Sequence, residues 1–455
     1  MPVLISRREP IHARFTAPAS KPETQRAILA AALAEGSSRL EGALAARETE
    51  AMIRACRALG AEITAEATGL RIEGVGPRLR DPRRAGRDCY IWAAGSALVA
   101  RIFATLGSAI PQRVIVDGND VLRSRPFAPL FELLGRHGVA FEHLDREHRL
   151  PCIATSQSLP GGTFRIGTSI SSQFATALLV AAPLAERATV LELTGEHHSL
   201  PYILQTVDML RRFAVPVAVG PDARTITVPA GRPYRPQTVA LTGDYTSASY
   251  LMGAAYTTRG RVEIANLDPA SLQGERAMVE ILAGLGAEIA WTAGGALIVD
   301  CTDLPGEVEA SFDLRPSPNI LPTVAALAAT TRGRVRITGA RLTQFHKSPR
   351  IEAMAQELAK AGIAVTVLRG GDGVPDGLEL RGRPASPGHV TFSSHGDHRI
   401  FMALALFALS CERACGFGDS HDTADSFPGF MADLGLAAPH REPAAAPDLP
   451  LQSAG

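Results

Sequence analysis

The residues best suited to chemistry in this chain are the hydroxyl-bearing residues of one stretch, Gly-Thr-Ser-Ile-Ser-Ser-Gln-Phe at 167–174. An apolar run with helical composition follows directly at 175–182. The first turn of a helix leaves backbone N–H groups without partners, and the helix dipole gives that end partial positive charge. We expect an anion to bind where this helix begins, with a basic residue from elsewhere completing the site. The alternative is an ordinary serine-rich helix cap.

Charge and hydropathy limit the partners of the chain. The 46 basic residues balance 46 acidic residues, so the formal net charge at pH 7 is zero. A balanced charge gives no general attraction to nucleic acid or to a membrane surface, and we expect neither as a partner. No stretch approaches the roughly 20 apolar residues of a membrane span. Residues 1–14 also lack the apolar core of a signal peptide, so we expect a cytoplasmic protein.

The six cysteines follow neither a metal-binding nor a disulfide pattern. Cys411 and Cys415 have His395, His398 and His421 nearby in sequence, but the spacing of a four-ligand zinc site is absent. We therefore expect no metal. The cysteines are interpreted as small buried side chains in a reducing compartment.

One signature recurs along the chain: a helical pattern that ends at a small residue and then turns into a strand. Copies occur at 57–63, 134–139, 210–215, 283–289 and 358–365, with a degraded sixth copy at 431–435. Successive copies lie about 72 to 78 residues apart, which is too long for a solenoid repeat and suits a small β/α module with two helices. Six such modules are expected to form the body of the protein.

Helical and strand-like periodicities alternate, which predicts an α/β fold. Helices are predicted at 24–34, 48–59, 127–134, 200–213, 275–285, 351–360 and 400–409. Strands are predicted at 113–116, 190–193, 225–228, 261–264, 296–299, 335–337 and 365–368. Pro229, Gly231, Pro233 and Pro236 are interpreted as the linker between two halves of three modules. Residues 438–455 are too poor in core formers to fold and are expected to be a disordered tail.

Seven separated segments together carry a resemblance to a known family. They are Pro-Ala-Ser-Lys-Pro-Glu-Thr-Gln-Arg-Ala at 18–27, Ala-Gly-Ser-Ala at 94–97, Leu-Arg-Ser-Arg-Pro at 122–126, Ser-Ser-Gln-Phe at 171–174, Ser-Leu-Pro-Tyr-Ile at 199–203, Gly-Asp-Tyr-Thr-Ser-Ala-Ser-Tyr at 243–250 and Asp-His-Arg at 397–399. In order and spacing they resemble segments of the 5-enolpyruvylshikimate-3-phosphate (EPSP) synthase family. The resemblance covers residues from about 12 to 437.

The resemblance implies a fold, namely a two-lobed inside-out α/β barrel of six β/α modules that closes over its ligands. Residues 1–20 and 241–437 would form a discontinuous lobe I, and residues 21–240 would form lobe II on the side of the phosphorylated substrate. Each lobe would hold three modules. The hinge is expected near Lys21 and Gly243, where the chain would cross between the lobes.

The implied activity is transfer of a carboxyvinyl group from phosphoenolpyruvate to a hydroxyl of shikimate 3-phosphate or a close analogue, in the shikimate pathway of aromatic amino acid biosynthesis. Two phosphates and two carboxylates would need several cations with forked donors, which favours arginine. By resemblance, phosphoenolpyruvate is held by Gly95, Arg125, Arg350 and Arg399. The ring substrate is held by Arg26, Ser171, Ser172, Gln173, Ser199 and Tyr202. No cofactor is implied, and a monomer is expected.

Candidate catalytic positions include several departures from the family pattern. Lys21 keeps its place between the two ligands, but the family's Pro-Asp carboxylate is replaced by Asn319, and an amide cannot accept a proton at neutral pH. The family's Lys-Glu pair becomes His346 and Lys347, and a family lysine becomes Asp425. A family arginine is Val99, with Arg101 close by.

Two of these departures exchange sign. Lys347 stands where the family has Glu, and Asp425 stands where it has Lys. If the two segments face each other, a charge-assisted pair could persist with reversed polarity. The alternative is that both residues face solvent.

The departures leave several functions open. His346 could be a group that titrates near neutral pH, a neutral donor to a substrate hydroxyl, or a solvated loop residue. The first functional hypothesis is the carboxyvinyl transferase, with acid and base roles moved to Lys21, Asp244 or His346. The second is a lyase or dehydratase acting on a shikimate-like ring, and the third is a binder without turnover. The related UDP-sugar carboxyvinyl transferases fit less well because the 171–173 and 201–203 segments resemble the shikimate branch.

Overall fold

The architecture is described here from a computed structural model that covers residues 3–6, 8–156, 158–167, 171–196, 198–382, 390–419 and 423–436. Thr168, Ser169 and Ile170 of the hydroxyl-rich stretch lie outside the described residues. His421 and the expected tail at 438–455 lie outside them as well.

The helices follow the predicted pattern, and several more are present. Their bounds are α1 (Lys21–Leu33), α2 (Arg47–Ala58), α3 (Ala97–Gly107), α4 (Asp120–Arg123), α5 (Ala128–Gly135), α6 (Gln173–Ala181), α7 (Leu200–Arg212), α8 (Tyr245–Thr258), α9 (Ala277–Gly284), α10 (Leu321–Thr330), α11 (Arg350–Lys360), α12 (His398–Leu409) and α13 (Phe430–Asp433). The seven helices predicted from periodicity are all confirmed, with ends shifted by up to three residues.

The strands are short and regularly spaced. Their bounds are β1 (Val3–Ile5), β2 (His12–Thr16), β3 (Ser37–Glu41), β4 (Glu62–Glu66), β5 (Gly69–Glu73), β6 (Asp88–Trp92), β7 (Arg113–Asp117), β8 (Phe141–His143), β9 (Cys152–Ala154), β10 (Gly162–Gly167), β11 (Thr189–Thr194), β12 (Ala218–Val219), β13 (Thr225–Val228), β14 (Thr238–Ala240), β15 (Arg261–Ala265), β16 (Glu288–Trp291), β17 (Leu297–Asp300), β18 (Val308–Asp313), β19 (Gly333–Thr338), β20 (Ala364–Arg369), β21 (Pro375–Gly382), β22 (Thr391–Phe392) and β23 (Cys415–Phe417). All seven predicted strands are confirmed.

The described strands form six sheets, which correspond to the six predicted modules. Five sheets have four strands, in the orders β14-β3-β5-β4, β6-β7-β9-β8, β10-β11-β13-β12, β2-β15-β17-β16 and β18-β19-β21-β20. Each of these five has one parallel pair followed by two antiparallel pairs. The sixth sheet, β1-β23-β22, keeps one pair of each kind. The repeated topology is what a duplicated β/α module predicts.

Two large hydrophobic cores hold these sheets together. One core draws its buried residues from Ala27 to Leu241, and the other from Val3 to Ala17 and from Tyr245 to Leu436. Every residue of α3, α8 and α12 is buried, so these helices lie inside their cores with the sheets around them. The architecture is therefore a two-lobed inside-out α/β barrel. All six cysteines are buried, as expected.

The chain crosses between the two cores at two neighbouring segments. Ala19 and Gly243 form an antiparallel bridge, the Ser20 N–H donates to Thr242 O at 2.8 Å, and the Asp244 N–H donates to Pro18 O at 2.8 Å. The proline-rich connection at 229–236, predicted to be the linker, does not cross between the cores. It instead joins β13 to β14, and both of these strands belong to sheets of the same core. The chain leaves that core a few residues later because β14 must first pair with β3.

The described helices include none that is both long enough and apolar enough to cross a membrane.

Candidate active site between the two cores

An open cleft between the two cores collects the predicted site residues. Its empty volume is about 1110 Å³. The predicted residues that line it are Lys21, Arg26, Arg125, Ser171, Ser172, Gln173, Ser199, Tyr202, Asn319, His346, Lys347, Arg350 and Arg399. Gly95 and Asp425 line an adjoining recess that shares Lys347 with the cleft. The structure thus brings all of the predicted positions together, although they come from both cores.

Six helices begin at this cleft. The cleft is lined by the first residue of each of five helices, α1, α3, α6, α11 and α12. The sixth helix, α7, contributes its N-cap residue, Ser199. Each N-terminus carries partial positive charge and backbone N–H groups without helical partners. Ser96, Ser172 and Ser199 are N-cap residues that make no capping hydrogen bond through their side chains. The cleft is therefore built to surround anions.

The hydroxyl-rich stretch lies at the start of α6, as predicted for its described part. Ser171 Oγ accepts a hydrogen bond from the Gln173 N–H at 3.2 Å, and Ser172 is the N-cap residue of the helix. A guanidinium from α3 reaches the same point, because Arg101 Nη1 donates to Ser171 Oγ at 2.9 Å and to Gln173 Oε1 at 2.7 Å. Arg101 is thus the basic residue from elsewhere in the chain that an anion site at this helix was expected to need.

Arg101 was noted in the sequence only as a neighbour of Val99, and its packing explains its position. Its guanidinium lies 4.6 Å from the ring centroid of Phe174 and 5.3 Å from that of Phe127. Cation–π contacts of this kind hold a buried guanidinium in place without a carboxylate. Burial lowers the pKa of Arg101 to about 9, so the side chain remains charged at neutral pH.

Three cations of the cleft have carboxylate partners. Lys21 Nζ lies 3.0 Å from Glu48 Oε2, Lys347 Nζ contacts Asp425, and Arg350 binds Asp397 through Nε at 2.7 Å and Nη2 at 3.2 Å. Burial would raise the pKa of Glu48, but the charges of Lys21 and Lys347 outweigh it and lower that pKa to about 2. These pairs keep part of the cleft neutral.

Four further arginines of the cleft have no carboxylate within ion-pair distance among the described residues. They are Arg26, Arg101, Arg125 and Arg399. Arg26 is held by neutral oxygens, including Thr206 Oγ1 at 2.8 Å and Tyr202 O at 3.0 Å. The buried Nε of Arg125 has no hydrogen-bond partner among the described residues. Burying unpaired charge is costly, so this excess of cations indicates anionic ligands.

The exchanged pair, Lys347 and Asp425, is in direct contact. The two side chains are only 16% and 17% exposed, which excludes the alternative that both face solvent. Arg47 Nη1 lies 3.7 Å from the second oxygen of Asp425. The reversed polarity suggested by the sequence therefore corresponds to a real ion pair at the edge of the cleft.

A second network joins Asn319, His346 and Arg350. Arg350 Nη1 donates to Asn319 Oδ1 at 3.1 Å and to His346 Nδ1 at 3.0 Å. With its two bonds to Asp397, Arg350 uses four of its five N–H groups inside the protein. Arg350 therefore positions Asn319 and His346 and keeps one N–H for a ligand.

The hydrogen bond from Arg350 decides the state of His346. A guanidinium has no acceptor, so Nδ1 of His346 must accept and Nε2 must carry the proton. Burial and the charges of Arg350 and Arg125 hold the pKa of His346 well below its usual range. His346 is therefore a neutral imidazole with one N–H to donate, which favours the neutral donor over a group that titrates near neutral pH.

This state of His346 predicts how stability depends on pH. The unfolded histidine takes up a proton below about pH 6.5, whereas the folded ring does not. The free energy of unfolding should therefore fall as pH drops below about 6.5, by at most about 1.4 kcal/mol per pH unit for one such histidine. Urea unfolding between pH 5 and 8 should show a smaller dependence of the unfolding free energy on pH for His346→Gln than for the wild type. Equal slopes for the wild type and His346→Gln would contradict the neutral assignment.

The sequence did not single out three carboxylates that the structure places at the site. Glu48 pairs with Lys21, Asp397 binds Arg350, and Glu275 contacts the hydroxyl of Tyr202. Only Asp397 lies inside a quoted segment, and its side chain accepts from the Arg399 backbone N–H at 2.9 Å. Among the described residues, no group of three His, Cys, Asp or Glu side chains could hold a metal ion.

Comparison with known proteins gives consistent results. The family model for EPSP synthase (3-phosphoshikimate 1-carboxyvinyltransferase) matches residues 5–434. A 3-phosphoshikimate 1-carboxyvinyltransferase of Methanothermobacter thermautotrophicus is 36% identical over 415 residues, covering 91% of this chain and 93% of that protein. One from Methanococcoides burtonii is 33% identical over 436 residues, covering 94% and 96%. A solved EPSP synthase from Acinetobacter baumannii has a TM-score of 0.76 at 23% identity, covers 96% of this chain and 98% of that one, and so shares the fold.

Proposed function

The chain belongs to the EPSP synthase family, and we propose on that premise that its cleft transfers the carboxyvinyl group of phosphoenolpyruvate to a hydroxyl of shikimate 3-phosphate, releasing phosphate. The relatives at 36% and 33% identity are named for this reaction. The same premise makes the chain a transferase of the shikimate pathway.

The observation that carries the proposal for this cleft is its excess of positive charge. Arg26, Arg101, Arg125 and Arg399 have no carboxylate within ion-pair distance among the described residues. Both substrates carry a phosphate and a carboxylate, so their charges would compensate the unpaired guanidinium groups. A dehydratase acting on a single ring would leave much of this charge unneutralised. Binding of two polyanions side by side accounts for it.

We assign the two ends of the cleft to the two substrates. The start of α6, with Ser171, Ser172, Gln173 and Arg101, supports the phosphate of the ring substrate because hydroxyls, backbone N–H groups and a guanidinium converge there. Arg26, Ser199 and Tyr202, which also line the cleft, are assigned to the same substrate. Gly95, Arg125, Arg350 and Arg399 are assigned to phosphoenolpyruvate. Lys21 is assigned between the ligands, because its segment begins α1 directly after the crossing.

The division into two lobes is part of this proposal. Lobe I comprises residues 1–20 and 241–437, and lobe II comprises residues 21–240. The two hydrophobic cores and the crossing at Ala19 and Gly243 support these limits. Closure about the crossing would bring Arg399 and Lys347 toward Arg26 and Ser171. The monomeric state, the cytoplasmic location and the lack of a cofactor remain predictions.

Binding and turnover measured together test the proposal. Calorimetric titration of phosphoenolpyruvate should show at least about tenfold tighter binding in the presence of shikimate 3-phosphate, since each ligand favours the closed cleft. Phosphate release should require both substrates. Loss of water from the ring without phosphoenolpyruvate would favour the lyase, and binding without turnover would favour the third hypothesis.

A further inference from the structure

The proposed reaction requires a base for the substrate hydroxyl, and the carboxylate and histidines that line the cleft are poorly suited to this role. Glu48 has a pKa of about 2 because Lys21 and Lys347 outweigh its burial, so it is a weak base. His346 has its acceptor nitrogen occupied by Arg350. Burial lowers the pKa of His398 well below its usual range. Asn319 carries an amide, which cannot accept a proton at neutral pH. None of these four side chains is therefore a good acceptor for the hydroxyl proton.

A buried carboxylate lies directly behind two residues of the cleft. The hydroxyl of Tyr202 donates to Glu275 Oε1. Asn319 Nδ2 lies 2.5 Å from Tyr202 Oη and 3.5 Å from Glu275 Oε1. Tyr202 and Asn319 line the cleft, whereas Glu275 is only 2% exposed. No ion pair between Glu275 and a cation occurs within the described ranges, so its charge is not committed to a salt bridge.

Close packing fixes Glu275 in this place. It belongs to the single turn Gly274–Arg276 that precedes α9. A Cβ on Gly274 would lie 2.4 Å from Pro316 O and 3.1 Å from Pro201 Cγ. The turn is therefore pressed against the segment that carries Tyr202 and the segment that leads to Asn319. Gln273 connects the same turn to the crossing, since its Nε2 donates to Gly243 O at 2.8 Å.

Burial also raises the pKa of Glu275, which makes this carboxylate a stronger base than Glu48. The charge of Asp244 acts in the same direction, and the hydrogen bond from Tyr202 and the charge of Arg399 act against it. A carboxylate whose pKa is closer to neutrality is better matched to accept a proton from a hydroxyl during reaction.

We propose that Glu275 is the final proton acceptor for the substrate hydroxyl and acts through Tyr202, an inference that rests on the proposed function. As the hydroxyl oxygen bonds to C2 of phosphoenolpyruvate, its proton passes to Tyr202 Oη, and the proton of Tyr202 passes to Glu275 Oε1. The electron pair of the C2–C3 double bond takes up a proton at C3 from the Lys21 ammonium. Loss of phosphate restores the double bond and returns the C3 proton to Lys21. The proton on Glu275 returns through Tyr202 to the cleft, where the departing phosphate takes it up.

In this relay Tyr202 touches the substrate, and Glu275 takes up the proton only through Tyr202. Asn319 holds the relay by donating to both Tyr202 and Glu275, while its Oδ1 accepts from Arg350. An aspartate at 319 would place a second carboxylate about 3.5 Å from Glu275, the distance that now separates Asn319 Nδ2 from Glu275 Oε1. Two carboxylates this close repel, so the amide at 319 and the carboxylate at 275 form a matched set.

The test is the pH profile of kcat for the full chain with both substrates. Glu275→Gln keeps the size of the side chain and removes its charge. It should lower kcat at neutral pH by about 100- to 1000-fold and abolish the acidic limb of the profile. The dissociation constant of shikimate 3-phosphate, measured by calorimetry, should stay within about threefold of the wild type. Glu357→Gln is the matched control, because Glu357 is a buried carboxylate that pairs with Lys360 and His395 away from the cleft.

A second substitution separates the relay from a structural role. Asn319→Asp in the Glu275→Gln background returns a carboxylate to the hydroxyl of Tyr202 and should recover at least about tenfold in kcat with an acidic limb. An acidic limb unchanged in Glu275→Gln would overturn the inference. A kcat of Glu275→Gln that is lowered equally at every pH and is not recovered by adding Asn319→Asp would also overturn it. If Glu275→Gln does not fold, Tyr202→Phe must lose the same limb. A wild type that releases no phosphate would instead overturn the proposed function itself.

Discussion

Replacing Arg125 by alanine is expected to raise the KM for phosphoenolpyruvate by about 100- to 1000-fold, because a forked cation–carboxylate or cation–phosphate contact is lost. The guanidinium of Arg125 has no carboxylate within ion-pair distance among the described residues, and its buried Nε has no partner there. Burial lowers the pKa of Arg125, although the charge of Glu48 opposes this, and an anion beside the guanidinium would stabilise its buried charge. Steady-state kinetics with each substrate varied in turn give the measurement.

The pattern across substrates distinguishes a ligand contact from a general loss of structure. The KM for shikimate 3-phosphate should change by no more than about threefold, because Arg125 is assigned to the other ligand. The KM of Arg125→Lys for phosphoenolpyruvate should lie between the values for the wild type and Arg125→Ala, since lysine keeps the charge but lacks the paired N–H donors of arginine. Arg334→Ala removes an exposed arginine paired with Glu379 and serves as the control. An equal rise in both KM values would contradict the assignment of Arg125.

Reversing Lys347 alone is expected to be the most damaging change to stability. In Lys347→Glu a carboxylate faces Asp425, so the two side chains repel. The attraction between Lys347 and Glu48 is also lost. Removing one partner from a largely buried pair typically costs about 3–5 kcal/mol in the free energy of unfolding. Urea unfolding should show this loss for Lys347→Glu, and activity should fall with it.

The double exchange Lys347→Glu with Asp425→Lys tests whether the two residues act as a pair. Their coupling energy in a double-mutant cycle should be at least about 1.5 kcal/mol, because the exchanged charges attract again. The double exchange should restore only part of the free energy of unfolding, since Arg47 lies 3.7 Å from Asp425 and favours an acidic residue at that position. Arg336→Glu, at an exposed arginine paired with Glu379, provides the control for a charge reversal. Additive effects of the two substitutions would show that the contact has no energetic role.

The amphipathic helices were predicted from the sequence. Among the helices buried on nearly every side, α12 was predicted, whereas α3, α8 and α10 were not. Periodicity located α2, α7 and α11, each of which has one buried face and one exposed face. α3, α8 and α10 are buried on nearly every side, so their sequences show little contrast between a buried face and an exposed face. These missed helices form the centres of the two cores. The repeated signature was nevertheless enough to predict six modules, because each module contains one helix that ends at a small residue before a strand.

Site residues that lie in short recognisable sequence segments could be predicted. Residues whose role depends on a contact with a residue distant in sequence could not. The hydroxyls at 171 and 172 and the arginines at 125, 350 and 399 lie within short segments of recognisable type. Glu275 lies far from Tyr202 and Asn319 in sequence, so only folding reveals their contact. Arg101 depends on two aromatic rings that also come from distant positions. The pairing of Lys347 with Asp425 was accessible because both departed from one family pattern with opposite signs.

The measurement that tests the account most directly follows both substrates by ³¹P NMR with the full chain. The account predicts that the phosphoenolpyruvate signal is replaced by one equivalent of inorganic phosphate, while the phosphate of the ring substrate persists in a new carboxyvinyl ether. Consumption of the ring substrate without loss of phosphoenolpyruvate, or no change in either signal under conditions where both ligands bind, would contradict it.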